Sequence, residues 1–209
     1  MASAAIDDRN WEGMSGATDQ RAAPRFIALI RAAKLICDGR EFVCVVRDVS
    51  TTGVRLRCFH SIPRGAAIAL ELQNGDLLPL ERVREDEYEA SFRFIGEVSI
   101  ERLLQETASY PRRPLRLNMA IPLTLRTAVG SVAAVTQNIS QQGCRVECPT
   151  PLALSQPVVV QSEFLPGIRA KVRWRRGTAC GLVFDDTFSL KDFAVHAARM
   201  QCPALARTE

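Results

Sequence analysis

Val46-Arg47-Asp48-Val49-Ser50-Thr51-Thr52-Gly53-Val54-Arg55-Leu56-Arg57-Cys58 decides how this chain folds, because the chain repeats it. Ninety positions later stands Thr136-Gln137-Asn138-Ile139-Ser140-Gln141-Gln142-Gly143-Cys144-Arg145-Val146-Glu147-Cys148. Ser50 falls on Ser140, Gly53 on Gly143, Arg55 on Arg145 and Cys58 on Cys148. The same offset carries Phe94 onto Phe184. Further upstream, Arg21 and Arg25 fall on Arg112 and Arg116 at an offset of 91. That one-residue slip is expected in the turn at Asp38-Gly39, opposite Gly130. Self-similarity at a fixed period means two copies of one unit. At about 90 residues, each unit is large enough for a small core of its own.

Both copies read as β structure. Phe42-Val43-Cys44-Val45-Val46 is a β-branched run, and Val54, Leu56 and Cys58 alternate with Arg55 and Arg57. Cys144, Val146 and Cys148 alternate in the same way with Arg145 and Glu147. A period of two puts one face into a core and the other into water. Ile68, Leu70 and Leu72 repeat the pattern, as do Ile168, Ala170, Val172 and Trp174 between Arg169, Lys171, Arg173 and Arg175. On that phase Trp174 is expected to face the core. Asp38-Gly39, Pro63-Arg64-Gly65, Asn74-Gly75 and Pro166-Gly167 supply the turns, and short strands at this spacing point to a barrel or sandwich. Phe26 to Ile36 could pass for a helix, but its counterpart carries Pro122 inside Ile121 to Leu125, so both are assigned as strand. Each copy is expected to end in a helix. The first is marked by Ile100, Leu103 and Leu104. The second carries Leu190, Phe193, Ala194 and Ala197 and is capped at Asp186-Thr187. Residues 1–18 are small, polar and aperiodic and are expected to be disordered. The first domain then spans 19–106 and the second 111–201. A linker at 107–116 is stiffened by Pro111 and Pro114.

Composition narrows the function. The 209 residues are 47% hydrophobic and 24% charged, an ordinary globular balance. The longest apolar runs are far short of the ~20 residues a membrane helix needs. Met1 to Gln20 lacks the pattern of a secretory signal, so a cytoplasmic protein is expected, with no direct membrane insertion. Net charge is −3 over 1–106 and +7 over 107–209, so the second half has the better field for an anion. Arg supplies 24 of the 27 cations. Seven cysteines without a C-x-x-C pair read as reduced, mostly core thiols. With only His60 and His196 beside them, no metal site and no catalytic set is expected. The face carrying Arg169, Lys171, Arg173, Arg175 and Arg176 reads as a solvated strand face. Nucleic-acid binding is not expected, since stacking aromatics are missing from that face on this phase.

Two signatures carry the chemistry. Arg-x-x-x-Arg occurs at Arg21/Arg25 and at Arg112/Arg116, with Arg113 between the latter pair. Asp/Asn-x-Ser-x-x-Gly occurs at Asp48/Ser50/Gly53 and at Asn138/Ser140/Gly143. The second signature is expected by chance only about 0.05 times in such a chain, yet it appears twice. It follows the arginine pair at nearly equal distance, 23 residues from Arg25 to Asp48 and 22 from Arg116 to Asn138. With the Ile62-Pro63-Arg64-Gly65 turn and the closing Gly181 to Phe184, these residues resemble the PilZ domain family, twice over. The resemblance implies two tandem six-stranded antiparallel β-barrels, each followed by a helix. It also implies a receptor for cyclic di-GMP with no further cofactor, acting on a protein target, and no enzymatic activity. The alternative is a protein-interaction adaptor on the same scaffold, with one or both nucleotide sites inactive.

The chemistry suits that ligand. A guanine presents O6 and N7 as paired acceptors, which a guanidinium meets with two parallel donors. Asp48 could accept from the guanine N1–H and N2–H₂, Asn138 with one acceptor oxygen fewer. The Ser50 and Ser140 hydroxyls could reach a phosphate or base edge. Gly53 and Gly143 permit a positive φ and close backbone approach. The copies also differ. Copy one has Ser91 and Arg84 where copy two has Gly181 and Trp174, and copy two has Leu154-Ser155-Gln156 in place of the Pro-x-Gly turn.

Overall fold

The alternation around Gly53 and Gly143 does build two barrels. The structure, a computed structural model, describes residues 30–65, 67–72, 75–99 and 114–207. Outside these lie Arg21, Arg25, Arg112 and Arg113, residues 26–29 of the ambiguous strand, the tail 1–18, most of the linker and the first-copy helix around Ile100, Leu103 and Leu104.

The first barrel comprises β1 (Arg31–Cys37), β2 (Arg40–Val49), β3 (Gly53–Arg57), β4 (Ile68–Glu71), β5 (Leu77–Glu85) and β6 (Glu89–Phe94). They close antiparallel in the order β1-β2-β3-β6-β5-β4. A short strand, β7 (Arg116–Asn118), opens the second half. It is followed by β8 (Pro122–Thr127), β9 (Gly130–Ser140), β10 (Gly143–Glu147), β11 (Pro157–Ser162), β12 (Leu165–Arg176) and β13 (Ala179–Phe184). The long β9 pairs with β8 at one end and β10 at the other, which closes the same six-strand cycle. β7 is an added strand lying against residues 138–140 of β9. Pro122 starts β8, where a missing amide donor is tolerated.

The barrels are filled by the predicted phases. Leu35, Phe42, Cys44, Leu56, Leu70 and Phe92 are buried in the first. Leu117, Leu125, Ile139, Val146, Val160 and Val172 are buried in the second. Cys37, Cys44, Cys58, Cys144, Cys148 and Cys180 are free and buried, as the sequence implied. Burial pushes the Cys58 and Cys144 thiols up to about 12, so both stay protonated at neutral pH.

The two barrels share core. Val43, on the outward face of β2, packs into the second core. The helix α1 (Leu190–Gln201) buries Phe193, Ala194, Ala197 and Met200 in the second barrel, while its Ala198 packs into the first. No helix of the described residues is long and apolar enough to cross a membrane.

Three expectations need correction. The N-cap of α1 is Ser189, whose hydroxyl accepts from the Asp192 amide at 3.1 Å. Asp185 and Asp186 instead face Lys171 and Arg169, at 3.8 and 3.7 Å. Nor does the slip fall at Asp38-Gly39. Cys37 pairs with Arg40 and Thr127 with Gly130, so both copies have two-residue turns. The offset of 90 already holds along β1 and β8, so the slip lies N-terminal to them. The third correction, Trp174, belongs to the site.

Ser155 stands where the first copy has Gly65 and adopts the left-handed region, φ 61°. A side chain there costs about 1 kcal/mol or more. Part of that is returned in Ser155→Gly, so its thermal midpoint is expected to rise by about 1–2 °C. An unchanged or lowered midpoint in calorimetry would show the turn to be unstrained.

Candidate functional site

The duplicated Asp/Asn-x-Ser-x-x-Gly segment is the turn joining β2 to β3 and β9 to β10. Its serine holds it together. Ser140 is 1% exposed, donates to the Gly143 carbonyl at 3.0 Å and accepts from the Gln142 amide at 3.4 Å. Ser50 donates to the Gly53 carbonyl at 3.3 Å and accepts from the Gly53 and Thr52 amides at 3.2 and 3.3 Å. These are side-chain-closed turns. The glycines serve close approach rather than a positive φ, since neither is among the positive-φ residues. A Cβ on Gly53 would stand 2.3 Å from the Phe92 carbonyl oxygen, and one on Gly143 would stand 2.1 Å from that of Leu182.

The tight turn aligns one row of residues across five strands. Asn118 on β7 pairs with Asn138 on β9. Asn138 pairs with Arg145 on β10, Arg145 with Gly181 on β13, and Gly181 with Trp174 on β12. Directly opposed residues share a face, so these side chains border one surface. Arg116, two positions before Asn118 on that face, donates from Nη1 to Asn138 Oδ1 at 2.9 Å.

Trp174 is the main departure from the sequence reading. A register shift between Val172 and Trp174 breaks the alternation. A bulge of this kind turns the next side chain to the other face. Trp174 is therefore 40% exposed rather than in the core. Its ring lies on Gly181, where a Cβ would come within 2.0 Å of the indole Nε1. The Arg145 guanidinium stands 5.7 Å from the ring centroid.

These residues line a cleft of about 410 Å³, with Arg116, Asn138, Gly143, Arg145, Arg173 and Trp174 among its walls. That volume is in the usual range for small-molecule sites. Among the described residues, no carboxylate lines it. It offers a stacking face, guanidinium donors and an amide that both donates and accepts.

The first barrel repeats the row as Asp48, Arg55, Ser91 and Arg84, bulge included. Its chemistry differs. Arg55 sits between Asp48 at 3.7 Å and Glu89 at 3.3 Å, and Arg93 faces Glu81 at 3.1 Å. Arg84 turns to Asp86 at 3.2 Å. The depression there, lined by Asp48, Ser50, Gly53, Arg55 and Ser91, measures about 200 Å³, below that usual range.

Residues 106–194 match the family model described as the PilZ domain. It is the second barrel that matches the PilZ domain. The arginine of its motif that the structure describes, Arg116, lies in a strand. Arg112 and Arg113 fall outside the described residues. No curated protein matches the chain. The chain is similar to several solved structures. The Borreliella burgdorferi PlzA protein in complex with c-di-GMP is 12% identical with a TM-score of 0.34, covering 79% of this chain and 86% of that one. The Bacillus subtilis inhibitor of motility MotI/DgrA is 10% identical with a TM-score of 0.36, covering 85% and 99%. The K. pneumonia protein MrkH in its apo state is 14% identical with a TM-score of 0.33, covering 84% and 88%.

Of the second-site residues that sequence reasoning singled out, Arg116, Asn138 and Gly143 line this cleft, while the Ser140 hydroxyl is buried in the turn and does not reach it. Sequence reasoning missed Arg145, Arg173 and Trp174. The joint exchange of Trp174/Gly181 for Arg84/Ser91 between copies was the available signal. A side chain at 181 must displace the ring. In Gly181→Ser, read in a Trp11→Phe background, Trp174 emission is expected to shift to the red with less than about 1 kcal/mol lost in stability. Unchanged emission would contradict the stacked geometry.

Proposed function

We propose that this protein is a cyclic di-GMP receptor whose nucleotide site is the cleft of the second barrel. The observation that carries this reading is the Trp174 ring, laid open on Gly181 beside Arg116, Arg145 and Asn138 in a PilZ domain. The indole supplies a stacking face for a guanine. Arg116, Arg145 and Arg173 supply donors for guanine O6/N7 and for phosphate. Arg112 and Arg113, just before β7, complete the donor set. Asn138 meets the base edge, while Ser140 and Gly143 hold the turn that presents it.

The first pocket has the same motif, Asp48/Ser50/Gly53 after Arg21/Arg25, but not the same readiness. Its cations are paired with carboxylates and its stacking position is Arg84. We assign it to the alternative reading, a barrel that does not take up the nucleotide and serves protein interaction. The exposed Trp174 does not make the Arg169 to Arg176 face a nucleic-acid platform. It is one aromatic seated in the cleft, and Arg169 and Lys171 face their own aspartates. Binding is transmitted by fixing the linker that carries Arg112 and Arg113 ahead of β7, which changes how the two barrels sit together.

In this reading, calorimetric titration of the full chain gives one nucleotide per chain, or two if the ligand stacks in pairs. Arg116→Ala and Trp174→Ala each weaken binding more than tenfold, from loss of a charge-assisted or stacking contact of about 1.5–3 kcal/mol. Asp48→Ala leaves it unchanged. Four nucleotides per chain, or weakened binding in Asp48→Ala, would return the first pocket to use. No binding at physiological salt would overturn the receptor reading. Superimposable scattering profiles with and without ligand would overturn the transmission step.

A further inference from the structure

The row that ends at Trp174 on one side ends at Asn118 on the other, and Asn118 is held by the first barrel. Both its donors go to one carboxylate. The Asn118 amide bonds Glu41 Oε2 at 2.7 Å, and Asn118 Nδ2 bonds Glu41 Oε1 at 2.8 Å. Glu41 opens the outward course of β2 and is 9% exposed. Its backbone is engaged as well. β3 begins pairing with β2 only at Val45, so the β2 edge at Glu41 is open. The Gln201 side chain at the end of α1 fills it, accepting from the Glu41 amide at 3.1 Å and donating to the Glu41 carbonyl at 2.5 Å. One residue thus ties the first barrel to both β7 and α1 of the second half.

This carboxylate is not needed to neutralise its cation. Lys34 Nζ lies 3.3 Å from Glu41 but 2.7 Å from Glu71. A buried carboxylate is costly unless its hydrogen bonds are met, and here the Asn118 donors meet them. β7 needs the contact too. It is three residues long and, among the described residues, pairs with one strand only, β9. Leu117 anchors it in the core, Asn118 is held by Glu41, and Arg116 projects into the cleft.

We propose that Glu41 of the first barrel is a positioning residue for the nucleotide cleft of the second. It fixes the far edge of β7, and through it the placement of Arg116. Fixing a ligand-contacting side chain beforehand lowers the ordering cost of binding. The first barrel then contributes to nucleotide affinity without touching nucleotide. The assignment rests on the receptor reading above.

The test uses the full chain and two readouts. The first needs no ligand: hydrogen exchange at the Asn118 amide, expected to quicken about tenfold or more in Glu41→Ala. The second is cyclic di-GMP affinity, expected to fall at least about fivefold in Glu41→Ala and less in Glu41→Gln, which keeps one acceptor. In an Arg116→Ala background, Glu41→Ala should cost nothing further, because it acts through Arg116. Asn118→Ala, which leaves the Glu41–Lys34 pair in place, should reproduce the affinity loss if Glu41→Ala proves unstable. An unchanged Asn118 exchange rate, or an equal affinity loss with and without Arg116, overturns the assignment while the receptor reading stands. A wild-type chain that binds no cyclic di-GMP overturns the receptor reading itself.

Discussion

The Leu182 carbonyl oxygen occupies the space a side chain on residue 143 would need, and much of the second barrel follows from that contact. Only glycine lets β10 lie this close to β13. The Ser140 hydroxyl closes the turn that delivers Gly143 to the contact. With the turn closed, Asn138, Arg145, Gly181 and Trp174 fall into register across four strands. The same contact recurs between Gly53 and Phe92, so the motif builds a barrel corner before it builds a binding site. Whether a site results depends on what the neighbouring strands present at that corner.

The two copies diverge at that step. Trp174 lies flat because Gly181 lacks a side chain, so the two positions change together. Ser91 in the first barrel removes the seat for a ring, and Arg84 turns to Asp86 instead. Arg55 and Arg93 are likewise matched with acids. Duplicated geometry with diverged electrostatics is what the proposed division of labour calls for, with nucleotide recognition in one copy and support in the other. The shared core suits that arrangement. Val43 packs into the second barrel and Ala198 into the first, so each core takes in a residue from the other half.

The barrel order was legible because a period of two, repeated at an offset of 90, leaves few alternatives. The cleft was legible as far as its turn. Alternation fails beyond a bulge, which is why Trp174 was assigned inward. β7 carries no periodicity in three residues, so Arg116 read as linker. Ser189 was passed over as a cap because Asp186-Thr187 offered an equally good local signal. The slip was placed by a turn signal, whereas pairing registers locate it further upstream. Glu41 left no trace at all. Its partners lie 77 and 160 positions away, and nothing local distinguishes it from any other exposed-phase acid.

The most direct measurement is an NMR titration of the full chain with cyclic di-GMP at physiological salt, following backbone amides and the Trp174 indole N–H. The account expects saturable shifts at the Trp174 indole and at residues 116–118, 138–145 and 181, with the amides of 48–55 unmoved. Shifts centred on 48–55, or an indole signal that stays in place while ligand binds, would contradict it.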